Sequence, residues 1–185
     1  MGHITTGRSF NDIALDYHGK PHNPLLNSGG LLSIALIMKE VKCEFGQDIA
    51  AKYDFIFTFI KKMAGNGYLH FNNSAFLSEI NCSDRNKALA HFLIENKCIP
   101  EGVDVQNILR LYCQICSLEM TCESLSVLAS TLANGGICPL TNERCLDPEA
   151  VSNVTSLMYS CGMYNYSGQF AFDVSTNIVL FRAKI

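Results

Sequence analysis

Residues 76–86 read F-L-S-E-I-N-C-S-D-R-N, and residues 21–29 read P-H-N-P-L-L-N-S-G. Each stretch sets polar side chains where a helical pattern begins, so the two together decide how the chain is divided. Pro21 and Pro24 bar regular helix across P-H-N-P and bias the residues before them to extended backbone, so the first helix cannot start before about Leu25. Asn27 or Ser28 is its natural N-cap. The helix from Gly29 to about Lys39 is apolar nearly all round, as a buried helix is. In the other stretch, Asn73 or Ser74 can cap a short helix running through Glu79, and Ser83 can cap the next, whose inward face reads Ala88, Leu89, Phe92 and Leu93.

Outward from these stretches the pattern stays helical. Phe10, Ile13 and Leu15 are the docking residues of a leading loop. Ile49, Tyr53, Ile56, Phe57, Ile60 and Met63 recur at three- and four-residue steps from Asp48 until Gly65-Asn66-Gly67, which predicts a helix with Lys52, Lys61 and Lys62 on its outer face. Asp104 caps a helix reaching Cys116 with Val105, Ile108, Leu109, Tyr112 and Ile115 on one stripe. Thr121 starts a helix that carries Leu125, Leu128, Ala129 and Leu132 inward and ends at Asn134-Gly135-Gly136. Asp147-Pro148-Glu149 is a cap, a first-turn proline and an acid at the positive end of the dipole, opening a helix to about Ser160. After Gly162, residues 169–174 and 178–181 are aromatic and β-branched and predict two strands around Ser175-Thr176-Asn177.

Composition narrows the function class. The chain has 185 residues, 48% hydrophobic and 17% charged, enough for one globular domain with a sizeable core. Its net charge of −3 is spread thinly, without the basic stripe that phosphate neutralisation demands, so nucleic acid is not expected as a partner. The longest apolar run, Leu31 to Met38 and broken only by Ser33, falls far short of the roughly 20 residues of a bilayer-spanning helix, so no membrane partner is expected either. Nine cysteines, an odd number set in helical patterns, predict free thiols in a reducing compartment. Cys113-x-x-Cys116, with Cys122 beyond, lacks a second ligand pair and reads as small buried hydrophobes, with no metal or cofactor implied.

Five ordered strings carry a resemblance: K-P-H-N-P-L-L-N-S-G, K-K-M-A-G-N, F-L-S-E-I-N-C-S-D-R-N, T-L-A-N-G-G-I-C-P-L-T and S-C-G-M-Y-N-Y-S-G-Q-F-A-F. Over residues 8–174 the chain resembles the serine-dependent glutaminases, in the wording of the animal kidney or liver kind. The resemblance implies an enzyme of the β-lactamase/transpeptidase-like α+β fold that hydrolyses L-glutamine to glutamate and ammonia. It also implies a homotetramer in the mitochondrial matrix, or otherwise the cytoplasm. A penicillin-binding or other β-lactamase-like hydrolase would share that fold but not the string around Glu79 and Asn86.

Carried over position by position, the glutamine-binding residues are Asn27, Glu79, Asn86, Tyr112 and Tyr164. Each also has a structural reading. Asn27 can be a helix cap, Glu79 a solvated acid, Asn86 a first-turn residue bonded to its own backbone, Tyr112 core, and Tyr164 an aromatic closing a helix end. As a site the set makes sense. Glu79 suits an ammonium, while the amides of Asn27 and Asn86 and the Tyr112 hydroxyl are neutral donors for a carboxylate. Tyr164 is assigned to proton transfer at the reacting amide.

The family's nucleophile is the serine of S-x-x-K, activated by the lysine one helical turn away. No lysine here has serine three residues before it, and only Thr58 before Lys61 supplies an aliphatic hydroxyl. The motif is expected upstream of the asparagine turn. The glycine-rich segment that follows F-A-F in the family is replaced by S-T-N-I-V-L-F-R-A-K-I. The expectation is therefore one partial catalytic domain over residues 1–185, with 175–185 divergent: the mainly α-helical portion of the fold plus a short C-terminal β element. Such a chain would be catalytically incomplete, or would serve as a non-catalytic partner that binds glutamine weakly or associates with full-length subunits.

Overall fold

A computed structural model describes residues 8–43 and 48–173. Its elements are α1 (Asn27–Glu40), α2 (Ile49–Met63), β1 (Leu69–Phe71), α3 (Asn73–Asn81), α4 (Asp84–Glu95), α5 (Val105–Cys116), β2 (Leu118–Met120), α6 (Cys122–Ala133) and α7 (Pro148–Cys161). A 3-10 turn, Tyr164–Tyr166, follows.

Local chemistry explains most boundaries. The carboxylates of Asp48, Asp104 and Asp147 accept from the backbone N–H of Ala51, Asn107 and Glu149, and the hydroxyl of Thr121 accepts from Ser124, each meeting a donor that the helix itself leaves unpaired. Asn72 does the same for α3 through Ala75, one residue earlier than the sequence predicts. Asn66 takes a positive φ of 61° in the turn after α2, and Gly135 and Gly136 do so at 64° and 88° after α6.

α5 is the central helix and packs against α1, α2, α3 and α4. The core it shares with them holds Leu31, Ile34 and Ala35 of α1, Ile56 of α2, Leu89, Ala90 and Leu93 of α4, and Ile108, Leu109 and Leu111 of α5. Burying such side chains is worth about 1.5–3 kcal/mol each. This packing brings the helices that carry Asn27, Glu79 and Asn86 onto the helix that carries Tyr112.

The strands lie where the sequence shows none. β1 and β2 pair antiparallel in the register Leu69↔Met120, His70↔Glu119 and Phe71↔Leu118. Three-residue strands are too short to show alternation, and this pair forms because α5 returns the chain beside the exit of α2.

Several expectations are corrected. Residues 169–173 are helical, within a helical run over 167–173, instead of the first strand of a β element. Ser167 starts the turn by accepting from the Met163 N–H at 3.0 Å and donating to the Tyr164 carbonyl at 2.9 Å. Gln169 then donates to Asp173 at 2.9 Å, a pairing one helical turn apart that an extended chain cannot make. The second predicted strand, 178–181, lies outside the described residues.

Lys52 is not on an outer face. It is 1% exposed, and its ammonium donates to the Val41 carbonyl. On α4 the buried positions are Leu89, Ala90 and Leu93, while Ala88 is exposed. On α6 the inward positions are Ser124 and Thr131, whereas Leu125 is 53% exposed and Ala129 is exposed. The reason is close approach. Thr131 donates to the Met63 carbonyl at 2.8 Å, and a Cβ on Gly67 would fall 2.6 Å from the Ser124 hydroxyl. Small residues therefore face α2 and Leu125 turns outward.

Candidate functional site

The asparagine turn is built by glycine. A Cβ on Gly29 would lie 1.9 Å from the Asn23 carbonyl oxygen, so only glycine lets the first turn of α1 sit against Pro21–Pro24. Asn23 reinforces the turn by accepting from the Leu25 N–H at 3.0 Å. His22 and Asn23 are both buried beneath it. Burial holds the His22 imidazole below its ordinary pKa, aided by Arg8 and opposed by Asp16 and Asp12.

Asn27 does not cap α1, nor does Ser28. The N-cap position is Leu26, which has no side-chain cap bond, and the Asn27 N–H is met by the Phe10 carbonyl at 3.1 Å. Standing one residue inside the helix, Asn27 turns its carboxamide to long-range partners. Its Nδ2 donates to the Oδ1 of Asn86 at 3.1 Å and to the Oδ1 of Asn11, while its Oδ1 accepts from the Tyr112 hydroxyl. At 4% exposure, Asn27 has exchanged water for three side chains drawn from three other places in the sequence.

Asn86 stands in the first turn of α4, and its side chain accepts from Asn27 in place of the backbone bonding that a first-turn asparagine can otherwise make. Tyr112 is half-buried on α5 with its ring against α1. A Cβ on Gly30 would lie 3.0 Å from the Tyr112 ring, so the second glycine of N-S-G-G makes room for it. Burial first, and then the neighbouring Cys116 thiol, push the Tyr112 phenol well above its ordinary pKa. It is therefore a neutral donor throughout the physiological range.

Glu79 is exposed on α3 and makes no hydrogen bond or ion pair among the described residues. Its charge is felt at the adjoining end of α5. It adds to the burial that pushes Cys113 up to about 11, and to the burial that raises Cys116. Tyr164 has a φ of 52°, a left-handed conformation costly for an aromatic residue. Its ring lies 5.0 Å from that of Phe10 at an interplanar angle of 56°, and its phenol acts electrostatically on Tyr112.

The structure thus joins Asn27, Asn86 and Tyr112 by direct hydrogen bonds, with Tyr164 in electrostatic reach of Tyr112 and Glu79 in electrostatic reach of Cys113 and Cys116 on the same helix. Sequence reasoning missed Asn11, which the loop pattern R-S-F-N-D gave no reason to select. It also placed Cys116 among buried hydrophobes. Cys113 is fully buried as expected, whereas Cys116 is exposed and acts electrostatically on Tyr112 one turn back. Cys122 is exposed as well, and the nine cysteines are free thiols.

None of the five candidates lines either of two surface clefts. One, of about 300 Å³, is bounded by the Pro21–Pro24 turn, α1 and Leu157. The other, of about 650 Å³, lies along α2 and includes Thr58 and Lys62. The candidate residues instead gather around α5, with Asn27 buried, Asn86 and Tyr112 partly buried and Glu79 exposed. Among the described residues no cluster of His, Cys, Asp and Glu could hold a metal ion, and no helix is long and apolar enough to cross a membrane.

Comparison with known proteins places the chain in a family. The model of the family described as Glutaminase matches residues 1–177. The mitochondrial liver isoform of glutaminase from Rattus norvegicus is 49% identical over 174 residues, covering 94% of this chain and 28% of the rat protein. Glutaminase 2 of Clostridium perfringens is 37% identical over 177 residues, covering 94% of this chain and 55% of that one. The crystal structure of a probable glutaminase from Bacillus subtilis superposes with a TM-score of 0.79 at 29% identity, covering 90% of this chain and 51% of that chain. The described fold is mainly helical and matches that of the solved glutaminases. The chain belongs to the glutaminase family. It spans under a third of the length of the rat relative and about half that of the solved bacterial chain.

Proposed function

We propose that the face formed by Asn27, Glu79, Asn86, Tyr112 and Tyr164 binds free L-glutamine. The observation that carries this reading is the carboxamide of Asn27, buried and bonded to Asn86 and Tyr112 from two other helices. The carboxamides of Asn27 and Asn86 and the Tyr112 hydroxyl are neutral groups, suited to a carboxylate without drawing in every anion. Glu79, exposed and without an ion pair among the described residues, suits the ammonium, and Tyr164 suits the reacting amide.

In a complete enzyme of this family the site would serve hydrolysis of glutamine to glutamate and ammonia through a serine acyl-enzyme, on a β-lactamase/transpeptidase-like fold of which residues 1–185 form one partial domain. The serine and lysine would come from a segment these 185 residues do not contain, since none of the lysines follows a serine at the S-x-x-K spacing. A polypeptide of these residues alone therefore binds glutamine and does not turn it over. We place the complete enzyme in the mitochondrial matrix as a homotetramer. Support for the compartment is the name of the rat relative, and support for assembly is the apolar side of α7, where Val154, Met158 and Tyr159 are exposed.

A glutamate-release assay tests this reading. The purified chain should release no glutamate above the buffer blank, and turnover at family-like rates would overturn the assignment of nucleophile and base to another segment.

A further inference from the structure

The Asn27 carboxamide has two N–H groups and both are in use, one on Asn86 and one on Asn11. Its oxygen accepts from Tyr112. A ligand carboxylate that is to receive a hydrogen bond from Asn27 must therefore displace one of the two acceptors. They are not equal. Asn86 belongs to α4, whose neighbours Leu89, Ala90 and Leu93 are locked in the core. Asn11 is an exposed residue of a loop that precedes the asparagine turn.

We infer that Asn11 is a specificity-determining place-holder: its side-chain carbonyl occupies the position of a ligand carboxylate oxygen on Asn27, and glutamine binds by exchange for it. The inference rests on the glutamine reading above. The exchange is favourable in sign, because an ionised carboxylate accepts a stronger hydrogen bond than an amide oxygen does. It is also cheap, since the released Asn11 carboxamide already stands at the solvent boundary and rehydrates. The same loop is tied to the site at two further points, the Phe10 carbonyl on the Asn27 N–H and the Phe10 ring on Tyr164. Departure of Asn11 is thus confined to one side chain on an anchored loop. A ligand with an acceptor weaker than carboxylate, such as the amino-acid amide, gains nothing over Asn11 and is disfavoured. The free α-carboxylate is selected in this way without a cation in the pocket.

Titration calorimetry with L-glutamine on the intact chain tests this, using wild type, Asn11→Ala and Asn11→Asp. Removing a competing neutral hydrogen bond should lower Kd about fivefold in Asn11→Ala. Placing an anion on the same donor should raise Kd above the wild-type value in Asn11→Asp. In wild type labelled with nitrogen-15, saturating glutamine should shift the Asn11 side-chain amide resonances, because the carbonyl conjugated to that nitrogen loses its donor Asn27, a change that a purely structural residue would not show. If wild type binds and Asn11→Ala binds equally or more weakly, the place-holder is overturned and the glutamine pocket stands. Asn11→Asp binding as tightly as wild type, or static Asn11 resonances, would overturn it likewise. If no variant binds, the pocket reading falls and the place-holder with it.

Discussion

Replacing Tyr112 by phenylalanine removes one atom from the most connected point of the site. The ring stays against Gly30 and the apolar stripe of α5 is unchanged, so packing is preserved. What is lost is the donor to Asn27 Oδ1, on a residue only 4% exposed. An acceptor left buried without its partner costs about 1–3 kcal/mol, set against a net value near 1 kcal/mol for an ordinary exposed bond. For a chain of this length that corresponds to a fall in Tm of roughly 2–12 °C. Urea unfolding followed by circular dichroism, on wild type, Tyr112→Phe, Asn27→Ala and the double variant, gives both the loss and its origin. The two changes share one hydrogen bond, so the double variant should be more stable than the sum of the singles implies, by about 1–2 kcal/mol. Additivity within about 0.3 kcal/mol would show that no bond links the two side chains and would dissolve the centre of the site.

Three further outcomes follow from the same geometry. Gly29→Ala drives a Cβ into the Asn23 carbonyl, so it should destabilise by more than about 2 kcal/mol and weaken glutamine binding with it, whereas Gly135→Ala, with open space but a positive φ, should cost only about 1 kcal/mol in the same melts. His22 is buried with a depressed pKa, so the unfolded chain binds the extra proton first; stability should be fully present above about pH 6.5 and fall as pH drops toward the lower folded value, and His22→Gln should flatten that part of a Tm-against-pH profile. Cys113, buried and raised to about 11, and Cys116, raised by burial, should be alkylated by iodoacetamide at pH 8 more slowly than exposed Cys82 and Cys122, as read by mass spectrometry of peptides over time.

Where a segment's structure depends on its own residues, the sequence was readable. Asp48, Asp104, Thr121 and Asp147 cap the helices they announce, because a cap needs only a side chain and the backbone two or three residues on. Asn27 carries the same chemistry and does something else, since it stands one residue inside the helix and its carboxamide is taken by Asn86, Asn11 and Tyr112. No local pattern contains those partners. Lys52 was misplaced for a similar reason, its ammonium being drawn inward by the Val41 carbonyl eleven residues away. At residues 169–173 the alternation of aromatic residues suggested a strand, and a helix won through Ser167 at its start and the Gln169 to Asp173 pair. Of the site, Asn27, Glu79, Asn86, Tyr112 and Tyr164 were named through resemblance, while their spacing alone favoured a cap, core or surface reading for each. Asn11 was invisible because its only distinguishing feature is its partner.

Titration of L-glutamine into the wild-type chain and Glu79→Gln, with glutamate measured in the same cell, bears most directly on the claim that this face holds glutamine. Wild type should bind and release no glutamate. Glu79→Gln should bind at least about tenfold more weakly, since it exchanges a charge-assisted bond to the ammonium for a neutral one, and should melt at the wild-type temperature because the carboxylate is exposed. Equal affinity of the two proteins, or no binding by either, would contradict the account.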